Sequence, residues 1–138
     1  VVLSARVSVD GPRSLFDAAA LVLWADESHW AKLCFEQSPN EGPMIVSVVT
    51  NTYSDDCNSE ATPSDWVHLR ISRVNEGWAF HASVDGHSWA FIRQFRLYTQ
   101  KPIHIGFLSQ APLGDGCVSH FDTIKVSHTP PTNMRDWS

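Results

Sequence analysis

Residues 66–85, WVHLRISRVNEGWAFHASVD, show most clearly which class of fold this chain adopts. Apolar side chains occupy alternate positions on both sides of a central Asn75-Glu76-Gly77 segment, namely Val67, Leu69 and Ile71 before it and Trp78, Phe80, Ala82 and Val84 after it. A period of two is typical of β-strands with one buried face, and a polar segment with Gly between two such runs indicates a hairpin turn. The stretch therefore predicts two antiparallel strands, at 66–74 and 78–85.

The same period of two extends along most of the 138-residue chain. Further strands are predicted at residues 2–10, 18–24, 29–37, 44–51, 89–97, 103–110 and 118–127. Turn signals such as Asp10-Gly11-Pro12 and Asp85-Gly86-His87 separate strands, whereas residues 53–64 are polar and irregular and predict a long loop. Many short strands without a helical period predict an all-β sandwich or barrel. We expect one domain at 1–128 and an extended C-terminal tail at 129–138.

Charge and composition narrow the classes of partner and the compartment. A formal net charge of −5 argues against nucleic acid as a partner. Because no apolar run reaches the length of a membrane span, we expect no membrane partner either. The cysteines Cys34, Cys57 and Cys117 match neither a disulfide framework nor a zinc motif. We expect free, mostly buried thiols in a reducing, cytoplasmic compartment, with one surface disulfide as the alternative.

Alternation also places ionisable side chains on the non-core face of the middle strands. One strand presents Lys32 and Glu36, and the two strands of the 66–85 hairpin present His68, Arg70, Ser72, His81, Ser83 and Asp85. If these strands belong to one sheet, their side chains form a polar band across it. One interpretation is a solvated face held by cross-strand pairs, each worth ~0.2–1 kcal/mol. The other is a concave binding surface on which some of the six tryptophans stack against a ligand.

Four ordered groups of segments resemble a known family. They are FDAAALVL at 16–23 with WAKLCFE at 30–36, VSVVTN at 46–51 with YSD at 53–55, VHLRISR at 67–73 with SVDGHSW at 83–89 and IR at 92–93, and IGFLSQAP at 105–112 with VSHFD at 118–122. Together they resemble domain-of-unknown-function family 1349, which includes the regulation-of-enolase proteins. That family is similar to concanavalin A-like lectins and glucanases. The resemblance implies a jelly roll of two curved antiparallel sheets and no settled activity.

The resemblance also marks individual positions. Those that match the family pattern are Trp30, Lys32, Glu36, Thr50, Arg70, Arg73, Ser83, Asp85, Trp89 and Arg93. Lys32, Glu36 and Arg70 are the most informative, because a charge in a strand interior is useful mainly when it is paired or bound to a ligand.

The sequence contains few of the residue patterns that catalysis or metal binding requires. A glycosidase needs two carboxylates about 5–10 Å apart, and Glu36 has no carboxylate on its own strand, which leaves Asp85 as its one candidate partner. His68 and His81 on neighbouring strands form a pair compatible with metal ligation, but a lone pair is more often structural. Calcium ligands such as Asp10 or Asp122 lack a recognisable loop. We therefore expect no catalytic residue, no metal and no cofactor.

Three functions follow from these residues. The first is a non-catalytic domain that binds a carbohydrate or similar polar small molecule on the concave face, through Trp30, Lys32, Glu36, Arg70, His81, Ser83, Trp89 and Arg93. The second is a protein-interaction or regulatory domain acting on a metabolic enzyme, as the resembled family suggests. The third is a glycan-active hydrolase that uses Glu36 as acid or base.

Overall fold

The computed structural model describes residues 1–39, 42–62, 64–129 and 133. The described residues form ten strands and no helix, as the period of two predicts. The strands are β1 Val2–Val9, β2 Ala18–Asp26, β3 His29–Ser38, β4 Gly42–Asn51, β5 Tyr53–Ala61, β6 Trp66–Val74, β7 Gly77–Ser83, β8 Ala90–Phe95, β9 His104–Gln110 and β10 Ser119–Ser127. Most of the predicted tail, at 130–132 and 134–138, lies outside the described residues.

The strands form two antiparallel five-stranded sheets. Sheet I has the order β10-β1-β6-β7-β8, and sheet II has the order β5-β4-β3-β2-β9. Sequence neighbours often lie in different sheets: β1 is in sheet I and β2 in sheet II, and the chain returns to sheet I at β6. The prediction of an all-β, two-sheet jelly-roll sandwich is confirmed.

The core consists of the inward-facing residues of both sheets. In sheet I, Leu3, Ile71 and Phe80 lie in one cross-strand row, and all three belong to the buried cluster. In sheet II, Leu21 pairs with Leu33, and both are fully buried. Each strand therefore leaves its other residues on an outer face, and these two outer faces hold the predicted polar positions.

The β6–β7 hairpin confirms the predicted turn. Val74 pairs with Gly77, so Asn75 and Glu76 are the two connecting residues. Asn75 has a φ of 52°, in the left-handed region that Asn tolerates better than most residues. The second predicted turn is longer than a tight hairpin, because β7 ends at Ser83 and β8 begins at Ala90.

The predicted loop at 53–64 is wrong, because most of it forms the edge strand β5. Ser47 pairs with Cys57 and Val49 with Asp55, which adds β5 to the outer side of β4. Nearly every residue of β5 is exposed. An edge strand without a buried face needs no apolar alternation, so its sequence carries no strand signal.

The three cysteines are free thiols, as expected, although their burial differs. Cys34 is buried, Cys117 is partly buried, and Cys57 lies exposed on β5. The alternative of a surface disulfide is therefore wrong.

Candidate functional site

The predicted site residues divide between the two opposite outer faces of the sandwich. Trp30, Lys32 and Glu36 lie on β3 in sheet II, whereas Arg70 and His81 lie on β6 and β7 in sheet I. The prediction of one shared polar band is therefore wrong. Alternation along a strand fixes which residues face outward, but it does not determine to which sheet the strand belongs.

The outer face of sheet II, which we call the Trp30 face, has a floor of small apolar side chains. Ala20, Cys34 and Val46 follow one another in a cross-strand row, and all three are buried although they point away from the main core. Ala18 and Met44 extend this cluster on either side of Glu36. Burial raises the pKa of the Cys34 thiol to about 12, so this cysteine stays protonated at neutral pH and is not a nucleophile.

A chain of hydrogen bonds runs along one side of this floor. Lys32 Nζ donates to Gln110 Oε1 over 2.7 Å, and Gln110 Nε2 donates to Glu36 Oε1 over 3.2 Å. The same amide nitrogen also donates to the carbonyl oxygen of Phe16 at 3.0 Å, which holds the amide in place. A base, an amide and an acid are thus held together on this face.

Glu36 has an altered acidity in this environment. Partial burial raises the pKa of its carboxyl above the ordinary value of 4.5, and the charge of Asp56 acts in the same direction. The Lys32 ammonium opposes this shift. The Glu36 carboxyl therefore holds its proton to a higher pH than an exposed glutamate does.

Two tryptophans stand at the other end of the same face. Trp24 and Trp30 pair directly across β2 and β3, and Trp24 is 44% exposed. Lys32 Nζ lies 5.8 Å from the centroid of the Trp30 ring, which links the aromatic pair to the hydrogen-bonded chain. From Trp30 to Glu36 the face extends roughly 20 Å, since a strand rises about 3.3 Å per residue.

The sequence pattern does not identify two members of the Trp30 face. Gln110 is on β9, and only the order β9-β2-β3 places it near Glu36. Trp24 ends the apolar run at 18–24, in which no polar residue marks an outer face. A faint signal exists for Trp24, because it has the same parity as Ala18 and Ala20, opposite to that of the core residues Leu21 and Leu23.

The outer face of sheet I, which we call the Trp89 face, is built around stacked cations and rings. The Arg70 guanidinium lies 3.6 Å from the centroid of the Trp89 ring, and burial lowers the pKa of Arg70 to about 10. Arg6 donates two hydrogen bonds to Asp122, at 2.7 and 2.6 Å. A small pocket of about 160 Å³ is lined by Ser4, His68, Arg70, Asp85, Gly86, His87, Trp89, Thr123 and Lys125.

Three predicted ligand-binding residues make contacts that stabilise the fold. His81 is 0% exposed, with its ring 5.8 Å from that of Phe91. Ser83 Oγ donates to Asp85 Oδ1 and accepts from the Gly86 amide, so it stabilises the connection after β7. Arg93 Nη1 donates to the Asp55 carbonyl oxygen at 3.1 Å and ties the edges of the two sheets together. His81 and Ser83 are buried and therefore do not present their polar groups on an open surface, and Arg93 links the two sheet edges.

The candidate acid–base and metal pairs of the sequence do not form. Glu36 and Asp85 lie on opposite sides of the sandwich, because β3 belongs to sheet II and the connection after β7 belongs to sheet I. His81 pairs with Arg70 rather than with His68, whose ring instead lies 5.6 Å from Trp66. Within the described ranges, no group of three or more His, Cys, Asp or Glu side chains could hold a metal ion. The same ranges contain no helix capable of crossing a membrane.

The two-sheet antiparallel sandwich defines a jelly-roll domain. The chain belongs to the family described as "Protein of unknown function (DUF1349)", whose model matches residues 1–129. No curated protein matches the sequence.

Solved structures share this fold at low sequence identity. A functionally unknown protein from Saccharomyces cerevisiae is 24% identical, with a TM-score of 0.81 over 90% of this chain and 66% of that one. The GH43 protein BlXynB from Bacillus licheniformis is 13% identical, with a TM-score of 0.74, and a xylan beta-1,4-xylosidase from Bacillus Halodurans C-125 is 14% identical, with a TM-score of 0.72. In both cases the match covers 87% of this chain and 26% of the other. The chain thus spans less than two thirds of each of these proteins.

Proposed function

We propose that this chain is a non-catalytic binding domain for a carbohydrate or similar polyol, and that the Trp30 face binds it. One observation carries the proposal. The Trp24–Trp30 pair and the hydrogen-bonded chain of Lys32, Gln110 and Glu36 lie on one outer face, over a floor of small side chains. Aromatic rings beside fixed hydrogen-bonding groups are the features by which a protein recognises a sugar.

The parts of this face have complementary tasks. The rings of Trp24 and Trp30 offer flat apolar surfaces for the C–H face of a sugar. The Lys32 ammonium donates to hydroxyl oxygens, and the Glu36 carboxylate accepts from hydroxyl groups. Since Gln110 already holds both side chains, little side-chain entropy is lost on binding. The length of roughly 20 Å along β3 favours a linear oligosaccharide over a single sugar.

The solved structures add support for the ligand class. One protein of similar fold is a xylan beta-1,4-xylosidase, and the matching part makes up 26% of it. A sandwich of this kind therefore occurs as part of a glycan-active enzyme, which favours a glycan as the ligand here.

A glycan array followed by calorimetric titration tests this proposal. We expect the array to return a neutral oligosaccharide, and we expect Trp30→Ala to weaken its binding about tenfold through the lost stacking surface. Trp89→Ala is the matched control, because it removes the same side chain from the opposite face and should leave the affinity unchanged. An array without a binder, or a loss caused by Trp89→Ala and not by Trp30→Ala, would reject the proposal.

A glycan-active hydrolase is the second candidate, and the raised pKa of Glu36 is the observation that favours it. A general acid must keep its proton near working pH, and the environment of Glu36 raises its pKa in that direction. Asp56 is the carboxylate on the same face whose charge acts on Glu36. Turnover of an aryl glycoside that disappears in Glu36→Gln, while oligosaccharide binding persists, would favour this candidate. Absence of turnover in the unaltered protein would exclude it for the glycosides tested.

A further inference from the structure

A second cleft, with a volume of about 1000 Å³, opens at one end of the sandwich. It lies between the β6–β7 turn and the connection from β8 to β9. We call it the end cleft and define it by Arg73, Glu76, Trp78, Arg96, Tyr98 and Lys101, which are among its lining residues. Its volume is at the upper end of the usual range for small-molecule sites, about 300–1000 Å³.

The end cleft is positively charged in an otherwise acidic chain. Arg73, Arg96 and Lys101 line it together with one carboxylate, that of Glu76, whereas the whole chain carries a net charge of −5. Lys101 Nζ is held in a 2.9 Å ion pair with Asp26, so the two arginines are the cations that a ligand would meet. The Arg96–Glu76 ion pair is long, at 3.6 Å, and solvent-exposed. Such surface pairs contribute little energy, so Arg96 can turn towards a bound anion at small cost.

The same cleft contains aromatic surface. Tyr98 is 72% exposed, and Trp78 forms a buried wall with Arg73 stacked 5.0 Å from its ring centroid. The connection that presents Tyr98 is fixed by Asn51, which accepts the Tyr98 amide at 2.8 Å and donates to the Arg96 carbonyl oxygen at 3.0 Å. An exposed ring on a fixed stretch of backbone therefore stands beside the cations.

We propose that the end cleft binds a sugar that carries an anionic substituent, either a carboxylate or a phosphate. Arg73 and Arg96 meet the anionic group, and the exposed Tyr98 ring stacks on the sugar. Thr99 and Gln100, which also line the cleft, supply hydroxyl and amide groups for the remaining sugar oxygens. The Trp30 face has a base and an acid bound to one another through Gln110, so the two sites differ in the charge that they select. This proposal does not depend on the function of the Trp30 face.

Calorimetric titration with three probes tests the end cleft: a galacturonate trisaccharide, glucose 6-phosphate and glucose. We expect at least one anionic probe to bind and glucose to bind about tenfold more weakly or not at all. Added salt should weaken binding of the anionic probe, since Arg96 is solvent-exposed. Whether the trisaccharide or the sugar phosphate binds more tightly identifies the source of the anionic group.

Variants then locate the binding. Arg96→Gln and Tyr98→Ala alter exposed side chains, and each should lower the affinity for the anionic probe about fivefold or more. Arg73→Gln should add to the loss, with thermal melting used to confirm that it folds. Lys125→Gln, which removes a charge from the Trp89 face, and Trp30→Ala should leave the affinity unchanged. Failure of both anionic probes to bind, equal binding of glucose, or binding that survives Arg96→Gln and Tyr98→Ala together would overturn the proposal.

Discussion

Glu36 and Gln110 contact one another because the residue between them, Ala18, is small. Glu36 and Gln110 both pair with Ala18, from opposite sides of β2. Because Ala18 has only a methyl group, the longer side chains meet above it and form the 3.2 Å hydrogen bond. Lys32 and Glu36 were identified from the sequence by their charge, but this contact depends on which strands lie on either side of β2.

The acidity of Glu36 gives a prediction at this scale. Its folded-state pKa is raised, mainly by burial, so the folded protein holds this proton more tightly than the unfolded chain does. Its contribution to stability is therefore full below the unfolded-state pKa and is lost as pH rises through the folded-state value. We expect the unfolding free energy of Glu36→Gln to increase relative to that of the unaltered protein as pH rises from about 4 to about 7.

Urea unfolding at several pH values measures this difference, and carbon NMR of the Glu36 carboxyl measures the titration directly. The same substitution at exposed Glu27 controls for the change of side chain. A Glu36 midpoint at or below its ordinary value of 4.5 would contradict the burial argument.

At the scale of elements, β5 and the β6–β7 hairpin show where sequence patterns succeed and fail. The hairpin sends apolar residues into the core at alternate positions and has a two-residue turn, so both its alternation and its turn residues are visible in the sequence. Strand β5 has no buried face, and only its pairing with β4 makes it a strand. Pairing depends on backbone groups, which every residue shares, and so it leaves no pattern of side chains.

The turn residue Asn75 gives a prediction for the hairpin. At a φ of 52°, a β-branched side chain is strained, so Asn75→Val should lower the unfolding free energy by about 1–2 kcal/mol. Asn75→Gly should be close to neutral, because glycine adopts this conformation freely. Urea unfolding of both variants measures the effect, and equal stabilities of the Val and Gly variants would show that the turn does not constrain this residue.

The core of the molecule gives a prediction with a larger expected change in unfolding free energy. Leu33 is fully buried between the sheets, so Leu33→Ala should cost about 2–5 kcal/mol of unfolding free energy through lost burial and a residual cavity. Leu113→Ala is the matched control, because Leu113 is 67% exposed and its truncation should change stability by less than about 0.5 kcal/mol. Similar losses in the two variants would contradict the assignment of Leu33 to the core.

Stability of the whole molecule should also fall in acid. Amide donors from Ser88 and His87 hold the pKa of Asp85 at about 2, and the Arg6 hydrogen bond lowers the pKa of Asp122. A lowered carboxyl pKa contributes stability above its unfolded value, and that contribution is lost as pH falls through the folded value. We expect the melting temperature to drop between about pH 4 and pH 2.

Thermal melting followed by circular dichroism across this range is the measurement. Asp85→Asn keeps an oxygen acceptor for the turn but cannot titrate, so its melting temperature should depend less on acid pH. A melting temperature that stays constant down to pH 2, or an unchanged slope in Asp85→Asn, would rule out this account.

The sequence by itself determined the all-β class, most strand positions, the β6–β7 turn and the outward direction of Lys32, Glu36 and Arg70. These are local properties, because alternation and turn chemistry act between residues close in the chain. Only the tertiary structure decided that β3 lies in one sheet and β6 and β7 in the other. It thereby separated Glu36 from Arg70, joined Glu36 to Gln110 and brought the cations of the end cleft together. The reason is physical: the order of strands in a sheet depends on contacts between distant parts of the chain, and alternation along one strand contains no information about its neighbours.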